Sequence, residues 1–126
     1  MAEFIYRDHV CKLKFGEHVF ELPLNETTAD NIEKRFYNKI NPPTSGGIEE
    51  VDAFYDSIAD EVDGFFGEGA ADAIMEGFKH PGIMELLSVV DYIVTEFNTQ
   101  YKQVVDNMKN TAHLPNRETR RARARR

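Results

Sequence analysis

Ten acidic residues and no basic residue lie between positions 49 and 76, the densest group of potential ligands in the chain. They are Glu49, Glu50, Asp52, Asp56, Asp60, Glu61, Asp63, Glu68, Asp72 and Glu76. A calcium-binding EF-hand loop needs a glycine at its sixth position and an acid at its twelfth. With Gly64 as the sixth residue, the first and twelfth are Ala59 and Ala70, which offer no side-chain ligand. We interpret the acids as a solvated helix face that attracts a basic partner.

The other residues that carry chemistry form no recognisable catalytic or metal site. The four histidines, His9, His18, His80 and His113, never have the spacing of three or four that places two ligands on one helix face. Cys11, the only cysteine, excludes an internal disulfide and is interpreted as a small buried residue of a strand. Gly67-Glu68-Gly69 lacks the third glycine of a dinucleotide-binding loop and follows a predicted helix. We therefore predict a non-enzymatic protein without a cofactor or a metal.

The charge of the chain is divided between an acidic body and a basic end. The last ten residues hold six arginines and one acid, a net charge of +5. The other 116 residues hold 9 basic and 21 acidic residues, a net charge of −12. The arginines suit nucleic-acid phosphates, an acidic protein surface or a solubilising tail. Nucleic acid is the less expected partner, because no aromatic residues for base stacking lie among the arginines and the body would repel phosphates.

Length and composition indicate one small domain. The chain has 126 residues, of which 41% are hydrophobic. No apolar run approaches the roughly 18 residues of a membrane helix, and residues 1–10 lack the pattern of a secretory signal. We predict a mostly helical α+β domain over residues 1–110, with an N-terminal hairpin packed on three to four helices. A flexible arginine-rich tail is predicted over residues 111–126.

Residues 9–22 have the pattern of a β-hairpin. Cys11, Leu13 and Phe15 alternate with lysines, and Gly16-Glu17 suits a tight turn before the chain returns to Leu22. Pro23 is expected to end the second strand, because proline has no N–H for a ladder. The segment Phe4-Ile5-Tyr6 is a candidate further strand.

Helices are predicted at about 28–40, 48–66, 69–79 and 83–109, and Thr27, Thr28 or Asp30 is the candidate N-cap of the first. The last one carries an uninterrupted apolar stripe from Ile83 to Met108, which extends over about 40 Å. We expect its Ile83–Val94 half to be buried and its Phe97–Met108 half to project towards a partner or another copy. The predicted partner-binding residues are Phe97, Tyr101, Val105, Met108, Arg117, Arg120, Arg121, Arg123, Arg125 and Arg126.

Two segments resemble a known family. Residues 12–22, KLKFGEHVFEL, resemble the short N-terminal hairpin of tail assembly chaperones from long-tailed bacteriophages. Residues 114–121, LPNRETRR, are similar to the Asn-Arg-x-x-Arg-Arg ending of many of these chaperones, and of some other phage structural proteins. The size and the acidic helical middle also fit the short form of such a chaperone.

This resemblance implies a protein that acts in the cytoplasm of the infected host bacterium and is absent from the mature virion. Such chaperones bind the long helical tape measure protein in many copies, keep it soluble and help to recruit tail tube protein. Self-association is then expected, and a membrane is not. The alternatives are a phage tail completion or head–tail joining protein, and a small nucleic-acid-binding regulator that uses the arginine tail.

Overall fold

A computed structural model describes residues 2–37 and 46–111 of the chain. Strands β1 (Val10–Phe15) and β2 (His18–Pro23) are followed by helix α1 (Glu26–Ile32), a π-helical segment (Glu33–Tyr37), and helices α2 (Ile48–Phe66), α3 (Ala70–Met75) and α4 (Ile83–Thr111). The predicted fold class is confirmed, since the structure is mostly helical with an N-terminal antiparallel hairpin and a long C-terminal helix. The predicted tail beyond residue 111 lies outside the described residues.

The hairpin forms at the predicted place and is closed by the predicted turn. β1 and β2 pair antiparallel from Phe15↔His18 at the turn to Val10↔Pro23 at the open end, and Gly16 adopts the φ of 61° that this turn requires. The Leu24 N–H donates to the His9 carbonyl at 2.8 Å, which continues the ladder by one more pair. Within the described residues the sheet has these two strands alone, so the suggestion that Phe4-Ile5-Tyr6 adds a strand to it is wrong.

One face of the hairpin covers the helices. Cys11 and Leu13 of β1 are fully buried in the same cluster as Leu86 and Ile93 of α4. β2 packs on α2, where the rings of Phe20 and Phe66 lie 5.0 Å apart. The alternation of apolar and polar residues along β1 therefore has the expected cause, because every second side chain enters the core.

Helix α1 begins earlier than predicted because a different residue caps it. The Asn25 side-chain oxygen accepts a hydrogen bond from the Thr28 N–H at 2.9 Å, so none of the three predicted caps is correct. The chain then continues as a π-helical segment, in which Phe36 is buried and stacks on Phe65 of α2 at 5.1 Å. Residues 38–40 of the predicted helix lie outside the described part.

The glycines between α2 and α3 make a helix break. Gly69 has a φ of 84°, a conformation that favours glycine, and the Asp63 carboxylate accepts the Ala71 N–H at 2.8 Å. Helix α3 ends at Met75 and not at the predicted residue 79. Its end is closed by tight turns, in which the N–H groups of Gly77 and Phe78 bond to carbonyls three residues earlier.

Candidate interaction surface

Helix α4 extends beyond the core that it helps to build. Its 29 residues span about 43 Å at 1.5 Å per residue. The buried side chains of α4 lie between Leu86 and Phe97. Between residues 98 and 110 no side chain is buried, although the apolar spacing continues without interruption. The last three turns thus carry an apolar face that the described part of the domain does not fully cover.

This apolar face consists of Tyr101, Val104, Val105 and Met108, here called the distal stripe. The first three side chains are half-buried, and Met108 is 61% exposed. Their spacing of three, one and three residues places them on one side of the helix. Tyr101, Val105 and Met108 were predicted to bind a partner, and that role stays a prediction. Val104 was not among the predicted residues, although its spacing in the same stripe is a sufficient signal for including it.

Phe97 does not belong to this surface, so the expectation that it projects is wrong. Its side chain is 0% exposed and is the largest of the fully buried side chains. Its ring stacks on Tyr101 at 5.6 Å with an angle of 13° between the planes. Phe97 belongs to the same buried cluster as Cys11 of the hairpin. The transition from core to surface therefore falls after Phe97 and not before it.

A second exposed apolar element precedes β1 in the chain. The N-terminal segment, Phe4-Ile5-Tyr6, is exposed by 74%, 67% and 89%, respectively. The ring of Phe4 meets the ring of Tyr6 edge to face at 4.9 Å. The sequence identified these residues as strand-like, but it did not indicate that they would lie outside the sheet.

Two contacts of β1 give its direction relative to α4. The Lys14 N–H, near the end of β1, donates to the Tyr92 hydroxyl oxygen at 3.4 Å. Cys11, near the start of β1, lies close enough to Glu96 for this carboxylate to affect its pKa. Following β1 backwards therefore leads towards the C-terminal end of α4.

The acidic residues of α2 and α3 form a solvated face, as predicted, and Asp63 and Glu61 also have structural roles. Asp63 caps α3, and the carboxylate of Glu61 lies 3.6 Å from the guanidinium of Arg35. The exposed members are Glu49, Glu50, Asp52, Asp56, Asp60, Glu68, Asp72 and Glu76. Among the described residues, no three histidine, cysteine or acidic side chains are arranged to hold a metal ion.

The Cys11 thiol is poorly suited to act as a nucleophile. It is fully buried beneath the hairpin, and burial, followed by the nearby Glu96 carboxylate, raises its pKa from 9.0 to about 11. The thiol is therefore neutral at physiological pH, whereas nucleophilic attack requires the thiolate. Its position agrees with the interpretation of Cys11 as a small core residue.

Two surface clefts lie beside the core. The first, of about 410 Å³, lies between the hairpin turn and α3 and is lined by Phe15, His18, Ile74 and Phe78 among others. The second, of about 300 Å³, lies along α4 and is lined by Phe36, Leu87, Val94 and Thr95 among others. The first is lined mainly by apolar side chains, whereas Asp91, Thr95 and Asn98 add polar groups to the second.

The six predicted arginine contacts, Arg117, Arg120, Arg121, Arg123, Arg125 and Arg126, lie outside the described residues. No helix in the described ranges has the length and hydrophobicity needed to cross a membrane. Comparisons with protein-family models, curated proteins and solved structures found no match. The features that remain are an exposed helical stripe, an exposed extended segment and an acidic face, all of which can bind another protein chain.

Proposed function

We propose that the protein is a non-enzymatic tail assembly chaperone that binds the tape measure protein of a long-tailed bacteriophage. In this role it acts in the cytoplasm of the infected host bacterium, helps to recruit tail tube subunits and does not remain in the mature virion. The distal stripe is the observation that carries the proposal. The resemblance of the hairpin and of the arginine-rich ending to this family supports it.

The distal stripe has the form of a surface that receives another helix. Apolar side chains at helical spacing bind an amphipathic partner by packing its apolar face against their own. Tyr101 and Met108 lie seven residues apart, about 10 Å along the helix axis, which corresponds to two turns. A tape measure protein, as a long helix with apolar stripes, offers a complementary surface over many turns, so that several copies of the chaperone bind along it.

Met108 provides the clearest test, because it is exposed and its replacement leaves the core intact. Burying a methionine side chain contributes roughly 1.5–3 kcal/mol, and a buried unpaired carboxylate adds a further cost. Met108→Glu is therefore expected to weaken binding of a tape measure fragment at least tenfold, at about 1.4 kcal/mol per factor of ten. Binding is measured by co-purification and by titration calorimetry with the purified fragment.

Met84→Glu is the matched control. Met84 lies on the same helix, is exposed by 69% against 61% for Met108, and is not part of the distal stripe. Its substitution is expected to leave binding unchanged. Equal binding by Met108→Glu and the wild type would contradict the role of the distal stripe. Detection of the protein in purified virions by mass spectrometry would contradict the chaperone assignment and favour a structural tail component.

A further inference from the structure

The outer edge of β2 has backbone groups that are free to pair with another strand. The bond from the Leu24 N–H to the His9 carbonyl identifies these two residues as a hydrogen-bonded pair of the ladder. Such pairs alternate along an antiparallel hairpin, so the N–H and C=O groups of Val19 and Glu21 point away from β1. On the β1 edge, the equivalent Lys14 N–H is bonded to the Tyr92 hydroxyl.

The same edge presents apolar side chains on both faces of the sheet. Val19, on the outer face, is 55% exposed. Phe20, on the inner face, is half-buried and packs on Phe66 at the border of the core. A third strand beside β2 would contact Val19 with one set of alternate side chains and Phe20 with the other.

The N-terminal segment has the matching pattern. Three consecutive large apolar residues are typical of a strand that is covered on both faces. The contact between Phe4 and Tyr6 places them on one side, which leaves Ile5 for the other. All three are exposed by two thirds or more, so a strand partner would remove much apolar surface from water.

The segment cannot easily reach the β2 edge of its own chain. His9 is held in the hairpin by Leu24, and Tyr6 is only three residues away, a span of roughly 10 Å. A third strand beside β2 would lie two strand spacings from β1, about 9.6 Å, before the path around the side chains of the sheet is added. The matching edge is therefore reached more readily in another copy of the chain.

We propose that residues 4–6 of one copy add as a third strand to the β2 edge of a second copy. The donor and acceptor surfaces are different, so each new contact leaves one free donor and one free acceptor. Such a heterologous contact extends into a chain of copies, which closes into a ring only where the rotation between neighbouring copies returns to the first. The proposal concerns the protein alone and does not rest on its role as a chaperone.

Two variants with opposite defects test this arrangement. Deletion of residues 2–6 removes the donor strand. Val19→Pro removes the outward N–H of the acceptor edge, and proline is tolerated there because this N–H is not used in the hairpin. Val19→Thr retains the N–H and is the matched control for the loss of the valine side chain. Circular dichroism establishes that each variant keeps the helical content of the wild type.

Sedimentation velocity of the purified proteins is expected to show concentration-dependent oligomers for the wild type and for Val19→Thr. The deletion variant should be monomeric, and Val19→Pro should associate about tenfold more weakly. An equimolar mixture of the two defective variants should form mainly a dimer, because it pairs the intact donor of Val19→Pro with the intact acceptor of the deletion variant, and larger species should need about tenfold higher concentration. A monomeric wild type, or a deletion variant that associates normally, would overturn the proposal, whatever the outcome with a tape measure fragment.

Discussion

Replacement of Phe97 by alanine measures how far the core extends along α4. Phe97 is fully buried, and truncation of a buried phenylalanine costs about 3–5 kcal/mol through lost transfer energy and the cavity that remains. The stacked ring of Tyr101 at 5.6 Å loses its partner as well. We expect Phe97→Ala to lower the free energy of unfolding by about 4 kcal/mol, a large fraction of the 5–15 kcal/mol typical of a domain.

Urea unfolding followed by circular dichroism at 222 nm provides the assay. With a slope of about 2 kcal/mol per molar urea, the expected loss lowers the midpoint by about 2 M. Met108→Ala is the control on the same stripe, and its effect should stay within about 0.5 kcal/mol because the side chain is exposed. A loss below about 1.5 kcal/mol for Phe97→Ala, or equal losses for both variants, would refute the assignment of Phe97 to the core and of Met108 to the surface.

Three further changes test individual features of the fold. Asn25→Ala should lower the free energy of unfolding by about 1 kcal/mol in urea titrations, because the Thr28 N–H loses its capping oxygen. Gly69→Ala should cost a similar ~1 kcal/mol in the same assay, since its φ of 84° strains any residue with a Cβ atom and no neighbouring atom adds a clash. Cys11 should make stability pH-dependent, because burial raises the pKa of its thiol from 9.0 in the unfolded chain to about 11 in the folded protein. Its contribution to stability is therefore present below pH 9 and is lost as the pH rises through 11. The loss amounts to at most about 2.7 kcal/mol, and it should be absent from the same pH range in Cys11→Ala, whereas an identical pH profile in this variant would contradict the assignment.

The hairpin and the long helix were predictable because short-range patterns determine them. Gly16-Glu17 between two alternating segments specifies both the turn and the side of the sheet that meets the core. Helices α2 and α4 begin at the predicted residues, Ile48 and Ile83, since their apolar spacing starts there. These features can be predicted without knowing which elements contact each other.

The errors concern features that depend on local competition or on tertiary contacts. Four polar residues near the start of α1 have side chains that can cap a helix, and the sequence does not show that Asn25 takes the position in preference to Thr27, Thr28 or Asp30. The residue types of Phe4-Ile5-Tyr6 likewise do not indicate that this segment is exposed. A strand-like segment is buried only if an edge lies within its reach, which is a property of the whole fold.

The residue at which α4 leaves the core also depends on tertiary contacts. An apolar stripe has the same period whether it faces the domain or a partner, so Phe97 and Met108 are equivalent in the sequence. They differ in the structure because Phe97 belongs to the buried cluster that includes Cys11 of the hairpin, whereas Met108 is 61% exposed. Burial on α4 therefore ends at Phe97, and the last three turns are left for the partner that we propose.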